Sequence, residues 1–152
     1  MTHLIRLKKM LNLAINIERM VKNPFRGFKI RIKHEEREYL TKEELTRLEK
    51  KDFDIPRLDF VRDLFVFSCY TGLAYIDAIN LTQANLVDGV DGEIWIKTQR
   101  HKTQIPVKTP LPPKPALILK KYERDPRALA KATLFPLLSN QKMNSYLKEI
   151  AD

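Results

Sequence analysis

The sequence is poor in several residues that common chemistries depend on: it has one cysteine, four glycines and three histidines in 152 residues. A lone cysteine excludes an internal disulfide. Cys69 lies in an apolar stretch, which predicts a buried, reduced thiol rather than a nucleophile. So few glycines leave no glycine-rich phosphate loop, and His3, His34 and His101 have neither metal-ligand spacing nor companion cysteines, so no metal site is expected. No apolar run approaches the roughly 18 residues needed to cross a bilayer. The N-terminus carries Arg6, Lys8 and Lys9 inside an amphipathic pattern and has no signal-peptide core or cleavage site, so the chain reads as cytoplasmic, with no membrane partner.

What is present is a core and an uneven charge. Hydrophobic residues make up 43% and charged ones 31% of a 17.9 kDa chain, enough to build one ordinary domain, or one compact domain with a short piece of another. The net charge of +9 is not spread evenly: residues 1–33 sum to +8, residues 34–96 to −7, residues 97–131 to +8, and the remainder to zero. Two basic blocks therefore flank an acidic one. Lysines and arginines gathered in patches suit a phosphate backbone, although solvated helix faces, acidic membranes and acidic proteins fit the same pattern.

From Leu4 to Val21 apolar residues recur at steps of three and four, which predicts one long amphipathic helix ended by Asn23-Pro24. Phe28 to Lys33 then alternates apolar and basic residues, as a linker or edge strand would. The charged stretch His34–Glu38 marks a boundary between a helical remnant, residues 1–33, and a main domain, residues 34–152. Thr41 with Glu44 forms a capping-box signature for a helix to about Lys50. Pro56 opens a second helix whose inner face carries Leu58, Val61, Leu64, Phe65 and Ser68, and Gly72 is placed to end it. A short helix is expected from Tyr75 through Leu81. Turn signals at Asp88-Gly89 and Asp91-Gly92 and the alternation of Glu93–Lys97 predict a small antiparallel sheet over residues 84–110, with a basic loop at Gln99–Thr103, prolines confining the last strand to an edge, and Trp95 in the sheet core. Prolines 110, 112, 113 and 115 delay the next helix to Ala116–Tyr122, and another runs from about Asn140. The fold class is α+β, mostly helical with a small antiparallel β-sheet.

Thr71-Gly72-Leu73-Ala74-Tyr75-Ile76-Asp77-Ala78-Ile79-Asn80-Leu81-Thr82, then Trp95-Ile96, Arg100-His101-Lys102-Thr103 and Pro110-Leu111, resemble in order and spacing the tyrosine recombinases, the family of phage and mobile-element integrases. Asn23-Pro24-Phe25 and Tyr39-Leu40-Thr41-Lys42-Glu43-Glu44-Leu45 also look like the family's junction between core-binding and catalytic domains. The resemblance implies that residues 1–33 are the last helix of the core-binding domain plus linker, and residues 34–152 the N-terminal part of the catalytic domain. It implies Lys102 as the catalytic lysine that protonates the leaving 5′-oxygen, and Asp77 as the acidic residue supporting the site. The family usually has its first catalytic arginine directly after Thr-Gly-Leu; here that position is Ala74, which cannot clamp a phosphate.

A His-x-x-Arg box, a further His or Trp and the nucleophilic tyrosine lie further downstream in the family, and none is found after Lys102, so the chain reads as a fragment that cannot cleave DNA alone. Tyr39, Tyr70, Tyr75, Tyr122 and Tyr146 lie outside the nucleophile's context and read as core or surface aromatics. In its parent, the resemblance implies DNA integration and recombination through a 3′-phosphotyrosyl intermediate, double-stranded DNA and other recombinase protomers as partners, and no metal or nucleotide cofactor. Lys8, Lys9, Arg19, Lys97, Arg100 and His101 are the candidate DNA contacts. The alternatives are a non-catalytic DNA-binding module and a structural RNA-binding protein.

Overall fold

A computed structural model of the chain describes residues 2–28 and 38–151. It forms two units, Met1–Glu38 and Tyr39–Asp152. Residues 29–37, with most of the expected extended segment and the charged boundary stretch, lie outside the described residues.

In the first unit, α1 spans Thr2–Asn16, shorter than the apolar periodicity predicts. The chain stops the helix itself, before any proline. Glu18 takes a left-handed conformation, φ 58°, its N–H donates to the Ile15 carbonyl at 3.0 Å, and the Arg19 N–H donates to the Ala14 carbonyl at 2.9 Å. These two bonds form a Schellman closure, which satisfies carbonyls of the last turn. Arg19 therefore sits beyond the helix rather than on it. Farther on, Asn23 Nδ2 donates to Asn12 Oδ1 at 2.8 Å, Asn23 Oδ1 accepts from the Phe25 N–H at 2.8 Å, and the Phe25 and Phe28 rings meet edge to face.

The second unit is α+β, helical for the most part, with one small antiparallel sheet. Helix α2, Lys42–Lys50, starts in the expected capping box: Thr41 Oγ1 accepts from the Glu44 N–H at 3.2 Å and the Glu44 carboxylate accepts from the Thr41 N–H at 2.8 Å. Helix α3, Pro56–Thr71, is the centre of the unit and packs against α2, α4, α5 and α7. Val61, Leu64 and Phe67 are fully enclosed, and Phe67 meets Phe135 edge to face at 5.0 Å. Gly72 ends α3 with φ 67°, where a Cβ would be strained.

Burial reaches around α3 and takes in two charged residues, Arg62 and Asp63. Each buried charge is paired and hydrogen-bonded, as low-dielectric surroundings require. Arg62 Nε donates to Asp63 Oδ1 at 2.7 Å, Arg62 Nη2 to Asp59, and Arg62 Nη1 to the Glu49 and Lys51 carbonyls at 3.1 and 2.6 Å. Lys121 and Tyr122 complete the cluster on Asp63 Oδ2, at 2.6 and 2.8 Å. Burial first, and the Asp63 bond second, push the Tyr122 phenol far above its ordinary value. Cys69, expected inside, is exposed on the outer side of α3. Partial enclosure and the charge of Glu49 still push its thiol up, which disfavours the reactive thiolate.

Helix α4 is Tyr75–Ile79. A 3-10 turn, Gln83–Asn85, leads into β1, Leu86–Asp88, followed by β2, Ile94–Gln99, and β3, Pro106–Pro110. The strands are antiparallel in the order β1-β2-β3, so the proline-bounded β3 is an edge as expected. Ile96, not Trp95, is the sheet's core residue: Ile96 is fully buried, whereas Trp95 points to the other face and is half-buried. Helix α5, Pro113–Tyr122, starts three residues before the expected position. Pro113 and Pro115 fall in its first turn, where amide hydrogens have no intrahelical partner, so the rings cost no hydrogen bond. Helix α6, Pro126–Leu129, had no sequence expectation, and α7, Asn140–Ala151, starts where expected.

Candidate nucleic-acid interface

The segment that joins α3 to α4 is fastened to the sheet at two points. The Thr71 carbonyl accepts from Thr109 Oγ1 on β3 at 3.3 Å. Asp77, 7% exposed on the first turn of α4, accepts from the His101 N–H at 2.9 Å through Oδ1. The second bond crosses from a helix to the basic loop between β2 and β3, and ends one residue before Lys102.

That loop also closes on itself. The Arg100 N–H donates to the Ile105 carbonyl at 2.9 Å, and the N–H groups of Thr103 and Gln104 donate back to the Arg100 carbonyl at 3.3 and 2.7 Å. Gln104 takes a left-handed φ of 57° to complete the reversal, and its side chain donates to the His101 carbonyl at 2.9 Å. Backbone bonds thus hold the loop's shape, and Arg100, His101 and Lys102 remain exposed at its surface. None of Lys97, Arg100 and Lys102 makes an ion pair among the described residues. Cations presented this way can accept an external anion without first breaking an internal bond.

Ala74 is exposed at the N-cap of α4, where its carbonyl accepts from the Asp77 and Ala78 N–H groups at 2.9 Å each. Its methyl group offers nothing to a phosphate or to the helix's first amides. A groove of about 590 Å³ opens between α4 and the sheet, lined by Asp77, Lys97 and His101 together with the uncharged polar residues Asn80, Asn85, Gln99 and Gln104. Three of the sequence-derived candidates are therefore brought to one groove, with Lys102 next in the chain. Lys8, Lys9 and Arg19 belong to the first unit: Lys8 is half-buried on α1, Lys9 is exposed on it, and Arg19 is exposed beyond its end.

The carboxamides of the groove were not expected from the sequence, since uncharged amides in loops carry little signal there. Thr82 and Asn85 did offer one: their spacing forms a capping box, in which Asn85 Oδ1 accepts from the Thr82 N–H at 2.8 Å and Asn85 Nδ2 donates to the Lys97 carbonyl at 3.0 Å.

Four of the five tyrosines are engaged elsewhere. The Tyr70 hydroxyl donates to Glu49 and accepts from Lys114 at 2.8 Å, the Tyr75 hydroxyl donates to the Leu138 carbonyl, the Tyr122 hydroxyl is on Asp63, and the Tyr146 ring carries Arg57 at 4.9 Å. Burial raises the Tyr75 phenol above its ordinary value. Tyr39 is 89% exposed. Among the described residues no group of three or more His, Cys, Asp or Glu side chains is gathered as for a metal ion, and no helix is long and apolar enough to cross a membrane.

Neither family models, nor curated proteins, nor solved structures give a match to this chain.

Proposed function

We propose that the chain is a DNA-binding part of a site-specific tyrosine recombinase, acting in the cytoplasm on double-stranded DNA together with further protomers. In its parent it would help to break and rejoin DNA through a 3′-phosphotyrosyl intermediate. The observation that carries this reading is the bond from the His101 N–H to Asp77 Oδ1. It ties the helix after Thr-Gly-Leu to the loop that presents Lys102, two segments that the resemblance joins in one site. Asp77 then acts as a positioning residue, and Lys102 as the proton donor to the leaving 5′-oxygen. An exposed lysine on a loop closed by its own backbone can reach a bound phosphate.

The exposed methyl of Ala74 supports a second reading, a DNA-binding module without strand cleavage. It lacks the charged clamp that would stabilise a transition state at that point. Both readings require phosphate-dominated binding of duplex DNA. Titrations at several salt concentrations should give an affinity that falls linearly on a double-logarithmic plot and depends little on sequence. A salt-independent affinity, or a preference for structured RNA, overturns both. The two readings separate on a nicked suicide substrate that traps a phosphotyrosine adduct: a longer parent chain forms the adduct only if it is a recombinase.

A further inference from the structure

The sheet has an outer face of which the groove takes in Lys97 but neither Trp95 nor Lys108. Alternation along β2 sends Ile96 inward and Trp95 and Lys97 outward. The strand register sets Lys97 directly opposite Lys108 on β3. Lys108 Nζ lies 4.9 Å from the centroid of the Trp95 ring, which places all three side chains on one face.

Two like charges directly opposite each other destabilise an antiparallel pair. Neither lysine makes an ion pair among the described residues; Lys108 has the Trp95 ring beside it and the charge of Asp91 beyond, which offset the repulsion only on the Lys108 side. Asp91, in the turn between β1 and β2, is committed: its Oδ1 accepts from Trp95 Nε1 at 3.0 Å and from the Glu93 N–H at 3.1 Å. Gly89 leaves room for that arrangement, since a side chain there would collide with the indole and with Asp91. The sheet is polarised as a result. Asp88, Asp91 and Glu93 lie at one end, and Lys97, Lys108, Arg100 and Lys102 occupy the strands and loop toward the other.

We propose that this outer face is a further contact for a nucleic-acid backbone, with Lys97 and Lys108 flanking one phosphodiester strand and Trp95 packing against its sugars. The proposal rests on the DNA-binding reading above and extends it from the loop to the strands. A phosphate between the two ammonium groups turns a repulsive cross-strand pair into two attractive ones. The ring beside them supplies an apolar surface that a phosphate-only site would not need. The acidic β1–β2 turn repels the same polyanion, and so ends its run along the sheet at Trp95.

Trp95 is the single tryptophan of the chain, so its fluorescence reports on this face alone. The full chain is titrated with a labelled mixed-sequence duplex while label anisotropy and tryptophan emission are followed together. Emission should change in step with anisotropy. The double variant Lys97→Gln/Lys108→Gln should lower the slope of log affinity against log salt by about 2 and leave the thermal midpoint unchanged or raised. A control with the same loss of charge elsewhere, Lys120→Gln/Lys131→Gln, should keep the emission change. Binding seen by anisotropy with unchanged emission, or with the full slope in the double variant, overturns the outer-face contact while leaving the DNA-binding reading intact. Emission that responds to polyaspartate but not to the duplex assigns the face to an acidic protein and overturns the proposal. Absence of any binding at low salt removes both.

Discussion

Two groups of charges in this chain are built on opposite plans. Around α3, Arg62, Asp59, Asp63, Lys121 and Tyr122 satisfy one another, and the guanidinium also reaches two backbone carbonyls at and just beyond the end of the preceding helix. On the β2–β3 hairpin, Lys97, Arg100, Lys102 and Lys108 are exposed and make no ion pair among the described residues. The residue types overlap and the roles do not. Net positive charge alone says little about binding, because part of it is spent inside the fold; what matters is which cations have no internal partner.

Removing one member of each group gives the sharpest contrast. Arg62→Ala leaves Asp63 Oδ1 without its partner in a buried position, although Lys121 and Tyr122 still hold Oδ2, and uncaps the end of α2, so unfolding by urea should show a loss of about 3 kcal/mol. A loss below 1 kcal/mol, the range of exposed pairs, would mean that the cluster is really a surface feature.

pH should separate the groups next. Burial raises the Glu49 carboxyl, but the bonds from Lys114 and Tyr70 outweigh it and hold the group below its ordinary value of 4.5. The unfolded chain then binds this proton more readily than the folded one. The associated stability is complete above the ordinary carboxylate range and is lost as pH falls through the depressed folded value. Tyr122 works at the opposite end: its phenol is raised in the folded state, so its contribution is complete below the ordinary value of 10.0 and is lost as pH rises beyond it. Thermal midpoints of Glu49→Gln and Tyr122→Phe should flatten the acid and the alkaline limb respectively.

On the hairpin and the neighbouring helix cap the effects on stability shrink and those on binding grow. Ala74→Arg places a guanidinium at an exposed N-cap, with a change in stability within about 0.5 kcal/mol and a salt slope steeper by about 1 if the position faces phosphates. A clear loss of folding would contradict the exposure of that methyl. Lys102→Ala should also stay within about 0.5 kcal/mol by urea unfolding while its salt slope drops by about 1.

The elements legible in the sequence were those with local chemistry behind them. Thr41 and Glu44 announce α2, Pro56 and Gly72 bracket α3, and the Asp-Gly turns with the alternation at Ile94–Lys97 announce the sheet. Misreadings arose where one residue type serves two purposes. Pro113 and Pro115 break helices in the interior but fit a first turn, so α5 began earlier than expected. Glu18 closes α1 in a conformation that glycine usually marks, and with no glycine there the apolar period runs on past the end of the helix. Trp95 was expected in the core because period-two alternation gives two faces without saying which one is inside; Ile96 took that place. Of the candidate site, Asp77, His101 and Lys102 were named from the resemblance. The bond joining them spans 24 residues, and no local pattern encodes it.

The guanidinium that ends α2 has a kinetic consequence. Two carbonyls at and just beyond the C-terminus of that nine-residue helix are capped by a side chain of the next one. Fraying of α2 from this end would leave Arg62 donors unpaired inside the protein, so the two helices share one opening event. In native-state hydrogen exchange the amides of α2 should be protected together with those of α3, although α2 has no fully buried residue of its own. A short, highly charged helix is thereby made part of the cooperative core, and the end of it nearest α3 is its best-protected one.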